Sequence, residues 1–429
     1  MHVGVEKALA EHALSDHAAR AEEDDIHDGR IPDGDTIPRA SGNADRQEKQ
    51  MPVIHHVTPR NGDVLLLVGT MKGAFIFRAN RKRGKWDMGG PYFPGSAVYA
   101  MAYDGRGNRH RIWAGPQSMH WGALLRSSDD FGESWTDPEV ANVKFPEGTE
   151  AALKNIWQIT PGRETERNTL YCGVEPAALF KSTDSGKSWA LVEGLWNHPQ
   201  RPKWQPGGGG MCLHTILLDP ANPKKIRIAV STAGMYVTED GGATWRPSNK
   251  GVRADFLPEK YPEFGQCVHK VVQSKQQPER MFLQNHWGLY RSDDAGESWV
   301  DVANGVPSDF GFAMAIHPED PDCAWIIPLE SDGFRCTPEG KLRVYRTRNA
   351  GGHWKALSKG LPQKEAYETV LRDAMAVDSL DPLGVYFGTR SGKLFGSSDE
   401  GKSWEELVDG LPPVVSVKAA RVSLTGKKA

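Results

Sequence analysis

Two short segments carry residue types that can hold a metal. Gly210-Met211-Cys212-Leu213-His214 and Gly265-Gln266-Cys267-Val268-His269 share the pattern Gly-x-Cys-x-His. In an extended strand, residues i and i+2 project from one face. Cys212 with His214, and Cys267 with His269, therefore read as two donor pairs, with His286 or Glu175 as further neighbours. Thiolate and imidazole suit zinc or another borderline divalent cation, although Cys-x-His is not a common zinc spacing. The alternative is packing: each cysteine fills space between sheets while each histidine makes a local hydrogen bond.

What positions these segments is a repeat. The pattern Ser/Thr-x-Asp-x-Gly-x-x-Trp occurs at Ser128, Asp130, Gly132 and Trp135, and again around Asp184, Asp240, Asp294 and Asp399, with a weaker copy around Asn349. Trp86, after Gly84, ends a degenerate seventh copy. Successive tryptophans are 49, 54, 56, 54, 55 and 50 residues apart, a period characteristic of propellers and arrays. The element is turn chemistry. Aspartate accepts backbone N–H bonds within its own turn, glycine supplies a positive φ, and tryptophan opens the next strand and buries its ring beside the hairpin. Asp130, Asp184, Asp240, Asp294, Asn349 and Asp399 are accordingly read as structural.

Each unit contains four short strand-like runs. In one they are residues 97–103, 111–115, 122–127 and the segment from Trp135; in another they are residues 268–273, 280–284, 288–292 and 299–303. Four antiparallel strands per unit describe a propeller blade. The first unit, with VLLLVG (64–69) and GAFIFR (73–78), lacks an innermost strand, and VVSVKAA (414–420) supplies it from the far end. The expected fold is all-β: a seven-bladed β-propeller over 60–422, closed by the C-terminal strand and thereby protected from exposed edges, with a short C-terminal tail at 423–429.

These motifs resemble the Asp-box, or BNR, repeat of sialidase-like propellers, and the chain is similar to bacterial proteins labelled exo-alpha-sialidase or glycosyl hydrolase. The resemblance implies that the Asp-box turns lie opposite the ligand face. It further implies three arginines clamping a substrate carboxylate through bidentate forks, and a tyrosine nucleophile paired with a glutamate. Arg30-Ile31-Pro32 matches the family's first arginine motif by letters but lies ahead of the first blade strand. Arg335, Arg372 and Arg390, with Tyr367 and Glu368, form an alternative set, in an order that departs from the family pattern.

In a propeller, the loops joining second to third strands and those joining one blade to the next share a face. They collect Lys72, His120, Lys154, Asn155, Glu175, Trp204, Asn285, His286, Glu330 and Asp373 at the channel mouth. The long loop 196–214 is expected to cover it. The leading functional expectation is a scaffold that binds a small ligand, glycan or protein on this face without demonstrated catalysis. The alternatives are a sialidase-like hydrolase acting on acidic sugars and a metal-dependent enzyme at the paired Cys-x-His segments.

The net charge of −3 over 429 residues gives no case for nucleic acid or an anionic membrane. No apolar run is long enough to span a bilayer, and the N-terminus lacks a signal-peptide core. Five scattered cysteines read as reduced thiols, so the chain is expected in the cytoplasm. Residues 1–50 carry 12 acidic and 6 basic side chains, a net of −6, which leaves +3 for the remainder. Residues 1–52 are read as a disordered or weakly helical acidic tail, with Met51 a candidate for the natural start.

Overall fold

The computed structural model describes residues 54–118, 122–137 and 143–424. The expected tail at 1–52, the Arg30-Ile31-Pro32 motif and His120 lie outside the described residues. Those residues form seven four-stranded antiparallel sheets. The innermost strands, blade by blade, are Val414–Arg421, Ala97–Asp104, Asn155–Pro161, Cys212–Leu218, Val268–Gln273, Gly311–Ile316 and Met375–Val377. The strand Val414–Arg421 pairs antiparallel with Val64–Thr70, placing Val417 opposite Val68 and Ala419 opposite Leu66. The last strand of the chain thus completes the first blade, and the ring closes as the sequence predicts.

The run VLLLV is apolar throughout because both its faces are buried. Leu65 and Leu67 pack with Val98, Met101 and Ile112 of blade two. Val64, Leu66 and Val68 point the other way, into a cluster with Val385 and Phe387 of blade seven. Period-two alternation therefore gives each blade two apolar faces, one for each neighbour. The core is a set of wedges between blades, such as Leu170 and Phe180 against Ala100 and Trp113, or Met235 against Val271 and Leu283.

The repeated turns close on themselves. Ser182 Oγ donates to Asp184 Oδ1 (2.8 Å) and accepts the Gly186 N–H (2.9 Å). Asp184 also accepts the Ser188 N–H (2.9 Å) and the Ser188 hydroxyl (2.6 Å). The same bonds recur around Asp294 and Asp399. Two successive residues adopt positive φ, for example Ala295 at 62° and Gly296 at 88°, so the turn asks more of its backbone than the one glycine implies.

Blade two departs from expectation. Residues 122–127 do not form one strand; the sheet uses Gly122–Ala123 and Arg126–Ser128. Pro116 sits opposite the break and has no N–H to give the ladder. No described residue after Trp135 forms a strand in this blade. Thr136 instead donates its N–H to Ser127 O (2.8 Å) and accepts the Ser127 N–H on its hydroxyl (2.9 Å).

Candidate functional site

The mouth is built by one irregularity repeated around the ring. The inner strands of six blades shift register near their first residues: between Val414 and Ser416, Val98 and Met101, Ile156 and Gln158, Leu213 and Thr215, Val268 and Lys270, and Gly311 and Ala313. A β-bulge inserts an extra residue and re-aims its side chain. The residues at these shifts include Tyr99, Trp157, His214, His269 and Phe312, which lie at the channel mouth. Tyr99 and Trp157 were missed by sequence reasoning, because strict alternation assigns each residue a face and cannot locate a bulge.

Arg372 reaches into this ring from the loop before the inner strand of blade seven. Its Nη1 lies 3.3 Å from Cys212 Sγ, and its guanidinium lies 5.4 Å from the Trp157 ring. Trp157 stands 4.6 Å from Tyr99, centroid to centroid, and its indole N–H donates to Glu175 Oε2 (3.1 Å). Burial pushes the Tyr99 phenol up, while Arg390 and Arg372 oppose that shift. The loop ahead of Cys212 leans over the same carboxylate. Gly210 has φ +85°, and a Cβ there would collide with the Glu175 side chain. Gly210 thus permits a close approach that a side chain would block.

Asp373 is not a mouth ligand. It is 3% exposed, and its Oδ1 accepts from Lys270 Nζ (2.6 Å) and Lys418 Nζ (2.8 Å). These residues belong to blades seven, five and one, so the cluster ties the ring together across the channel. Despite the cost of burial, the two ammonium groups hold the Asp373 carboxyl well below its usual range. Lys270 is pushed down by burial, with Asp373 opposing.

Several expected mouth residues occupy other places. Trp204 is buried, its indole N–H donating to Tyr236 Oη (2.9 Å). Asn285 is fully buried and donates to Arg253 O (2.8 Å). Lys72, Lys154 and Glu330 are exposed, and Asn155 and Glu175 are half-buried.

The paired Cys-x-His set also divides. His214 is fully buried with both ring nitrogens engaged, by Thr215 Oγ1 (2.9 Å) and Val268 O (2.9 Å). Cys212 faces Arg372. Neither joins the other pair, because the bulge turns His214 towards the next blade's backbone. Cys267 and His269 do meet, Sγ to Nε2 at 3.6 Å. His286 joins them, one ligand atom from each residue lying within 4.8 Å of the others.

The three arginines expected to clamp a carboxylate have different surroundings. Arg335 donates to Asp332 Oδ1 (2.7 Å) and lies over Phe312. Arg372 is engaged as above, and Arg390 is exposed. Among the described residues the three guanidinium groups share no hydrogen-bond partner. Tyr367 is 60% exposed and packs on Phe334. Glu368 is buried and accepts the Ser391 hydroxyl (2.6 Å). Adjacent residues in extended backbone point apart, so the two make no nucleophile–carboxylate pair.

No protein-family model matches the chain. Over 315 residues, 65% of this chain and 35% of the relative, it is 25% identical to the oligoxyloglucan-reducing end-specific xyloglucanase of Emericella nidulans. Over 281 residues, 58% of this chain and 30% of the relative, it is 23% identical to xyloglucanase Xgh74A of Acetivibrio thermocellus. The crystal structure of an ancestral GH74 enzyme aligns with a TM-score of 0.49 at 18% identity, covering 73% of this chain and 38% of that one. The chain spans about a third of the length of these curated relatives. Their resemblance overturns the expectation of a binding scaffold without catalysis, because both are glycoside hydrolases. Both relatives are named as xyloglucanases and neither as a sialidase.

Proposed function

We propose that this propeller is a glycoside hydrolase module that takes a xyloglucan-type oligosaccharide at its channel-mouth face. The observation that carries this reading is the cluster of Glu175, Trp157, Tyr99 and Arg372, joined to sequence similarity with xyloglucanases over more than half of the chain. Aromatic faces offer apolar area to the C–H face of a pyranose, while a few convergent polar groups fix its orientation.

Hydrolysis of a glycosidic bond needs two carboxyl groups, one to protonate the leaving oxygen and one to activate water or attack carbon. Glu175 is our candidate for the first role. Glu368 and Asp332, from loops of blades seven and six, are our candidates for the second. Asp332 is held well below the usual carboxylate range by hydrogen bonding to His286 and by Arg335, which suits an anionic role and not that of the acid.

The test is reducing-end release from xyloglucan oligosaccharides by the full chain, beside a sialoside control. The expected outcome is turnover of the glucan only. Glu175→Gln should lower kcat by about 10²–10⁴-fold without shifting the thermal transition. Glu368→Gln and Asp332→Asn identify the second carboxylate by which of them matches that loss. Neither binding nor cleavage of xyloglucan oligosaccharides, with the protein folded, would sink the reading.

A further inference from the structure

We propose that Cys267, His269 and His286 form a site for a zinc-class divalent cation at the mouth end of blade five. The inference does not depend on the glycan reading, although Asp332 enters both, and it rests on the chemistry of these three residues.

Two histidines occupy equivalent bulges in adjacent blades, and their hydrogen bonds differ in the way that matters. His214 has both nitrogens occupied. His269 uses Nδ1 alone on backbone, against Gly311 O at 2.7 Å. That bond makes Nδ1 the protonated nitrogen and leaves the Nε2 lone pair aimed at Cys267 Sγ, 3.6 Å away. A ring N–H fixed by a backbone carbonyl is the usual support of a metal-binding histidine.

The third ligand has the other common support. His286 Nε2 lies 3.4 Å from Asp332 Oδ2, and a carboxylate beside an imidazole orients the ring and strengthens it as a donor. Phe312 stacks on His269 at 4.3 Å and Phe310 meets His286 edge-on at 5.2 Å, giving the site an apolar wall.

The spacing suits the ion. Zinc bond lengths and tetrahedral angles put sulfur and nitrogen ligands about 3.4–3.6 Å apart. The Cys267–His269 pair is at that distance, and His286 needs a shift of roughly 1 Å from the 4.8 Å limit. On binding, the Cys267 S–H bond breaks, the proton leaves to solvent, and the thiolate pair forms the bond to the metal. The thiolate, with Asp332 behind His286, offsets the cation's charge against nearby Arg372. Three protein ligands leave a fourth position for water or a substrate oxygen.

The test uses the reduced full chain, treated with chelator and titrated with Co²⁺. One equivalent should bind with a thiolate-to-cobalt absorption band, and Zn²⁺ should displace it. Cys267→Ser should abolish the band, and His286→Ala should weaken binding at least tenfold, each with an unchanged thermal transition for the metal-free protein. Cys212→Ser should leave band and affinity intact. A missing band in the unaltered chain would overturn the proposal. So would a band that survives Cys267→Ser, because the ligands would then be other thiols.

Discussion

The two faces of this ring solve different problems. On one, the Asp-box turns are stabilised from within, as where Ser182, Asp184, Gly186 and Ser188 satisfy one another over seven residues. On the other, the important contacts join residues from different blades. Asp373 meets Lys270 and Lys418 from two other blades, and Arg372 meets Cys212 from a third. Local chemistry can be copied blade by blade, and its effects add. The channel contacts are each made once, and a change in one partner strands the others.

The sharpest way to break the contrast is Asp373→Asn. It leaves two ammonium groups in the channel without their carboxylate and should cost about 3–5 kcal/mol, read from denaturant unfolding. A cost below about 1 kcal/mol would place the channel cluster on the same footing as a turn.

Asp184→Ala should cost less, about 1 kcal/mol, the scale of exposed hydrogen bonds to a charged acceptor. Combined with the equivalent change at Asp294, its effect should add, since the sites share no partner. The Ser188 hydroxyl and N–H hold the Asp184 carboxyl down at about 2, against 3.8 unperturbed. A depressed carboxylate stabilises the fold above its unfolded pKa, and that contribution is lost as pH falls through the folded one. The gap between Asp184→Ala and the unaltered chain should therefore hold at neutral pH and close between about pH 4 and 2. A gap independent of pH would remove the charge from the account.

The smallest expected effect is a gain. The copy at Asn349 lacks the second carboxylate oxygen, and His353 stands where the other copies have serine or threonine. Asn349→Asp with His353→Ser restores the missing bonds and should add about 0.5–1 kcal/mol. No gain would mean that blade six is limited by its packing and not by its turn.

The repeat was legible because its chemistry is local. The hydroxyl before five of the tryptophans, as in Ser134 and Ser298, was also present as a pattern, and it was overlooked because tryptophan drew the reading. The mouth was legible only in part. Glu175 and His286 were found from loop position, His269 from the Cys-x-His pattern and Arg372 from the arginine set, whereas Trp157 and Tyr99 were not found, and Trp204 and Asn285 proved to be buried.

The amino-acid sequence by itself determined the number of blades, the turn between each third and fourth strand, and the strand that closes the ring. Each of these follows from interactions within a few residues or from alternation along a strand. Only the tertiary structure decided which cysteine meets which histidine. A bulge turns each inner-strand residue by an amount set by the neighbouring blade's backbone. His214 lost both nitrogens to such partners, whereas His269 spends one on backbone and turns the other to Cys267.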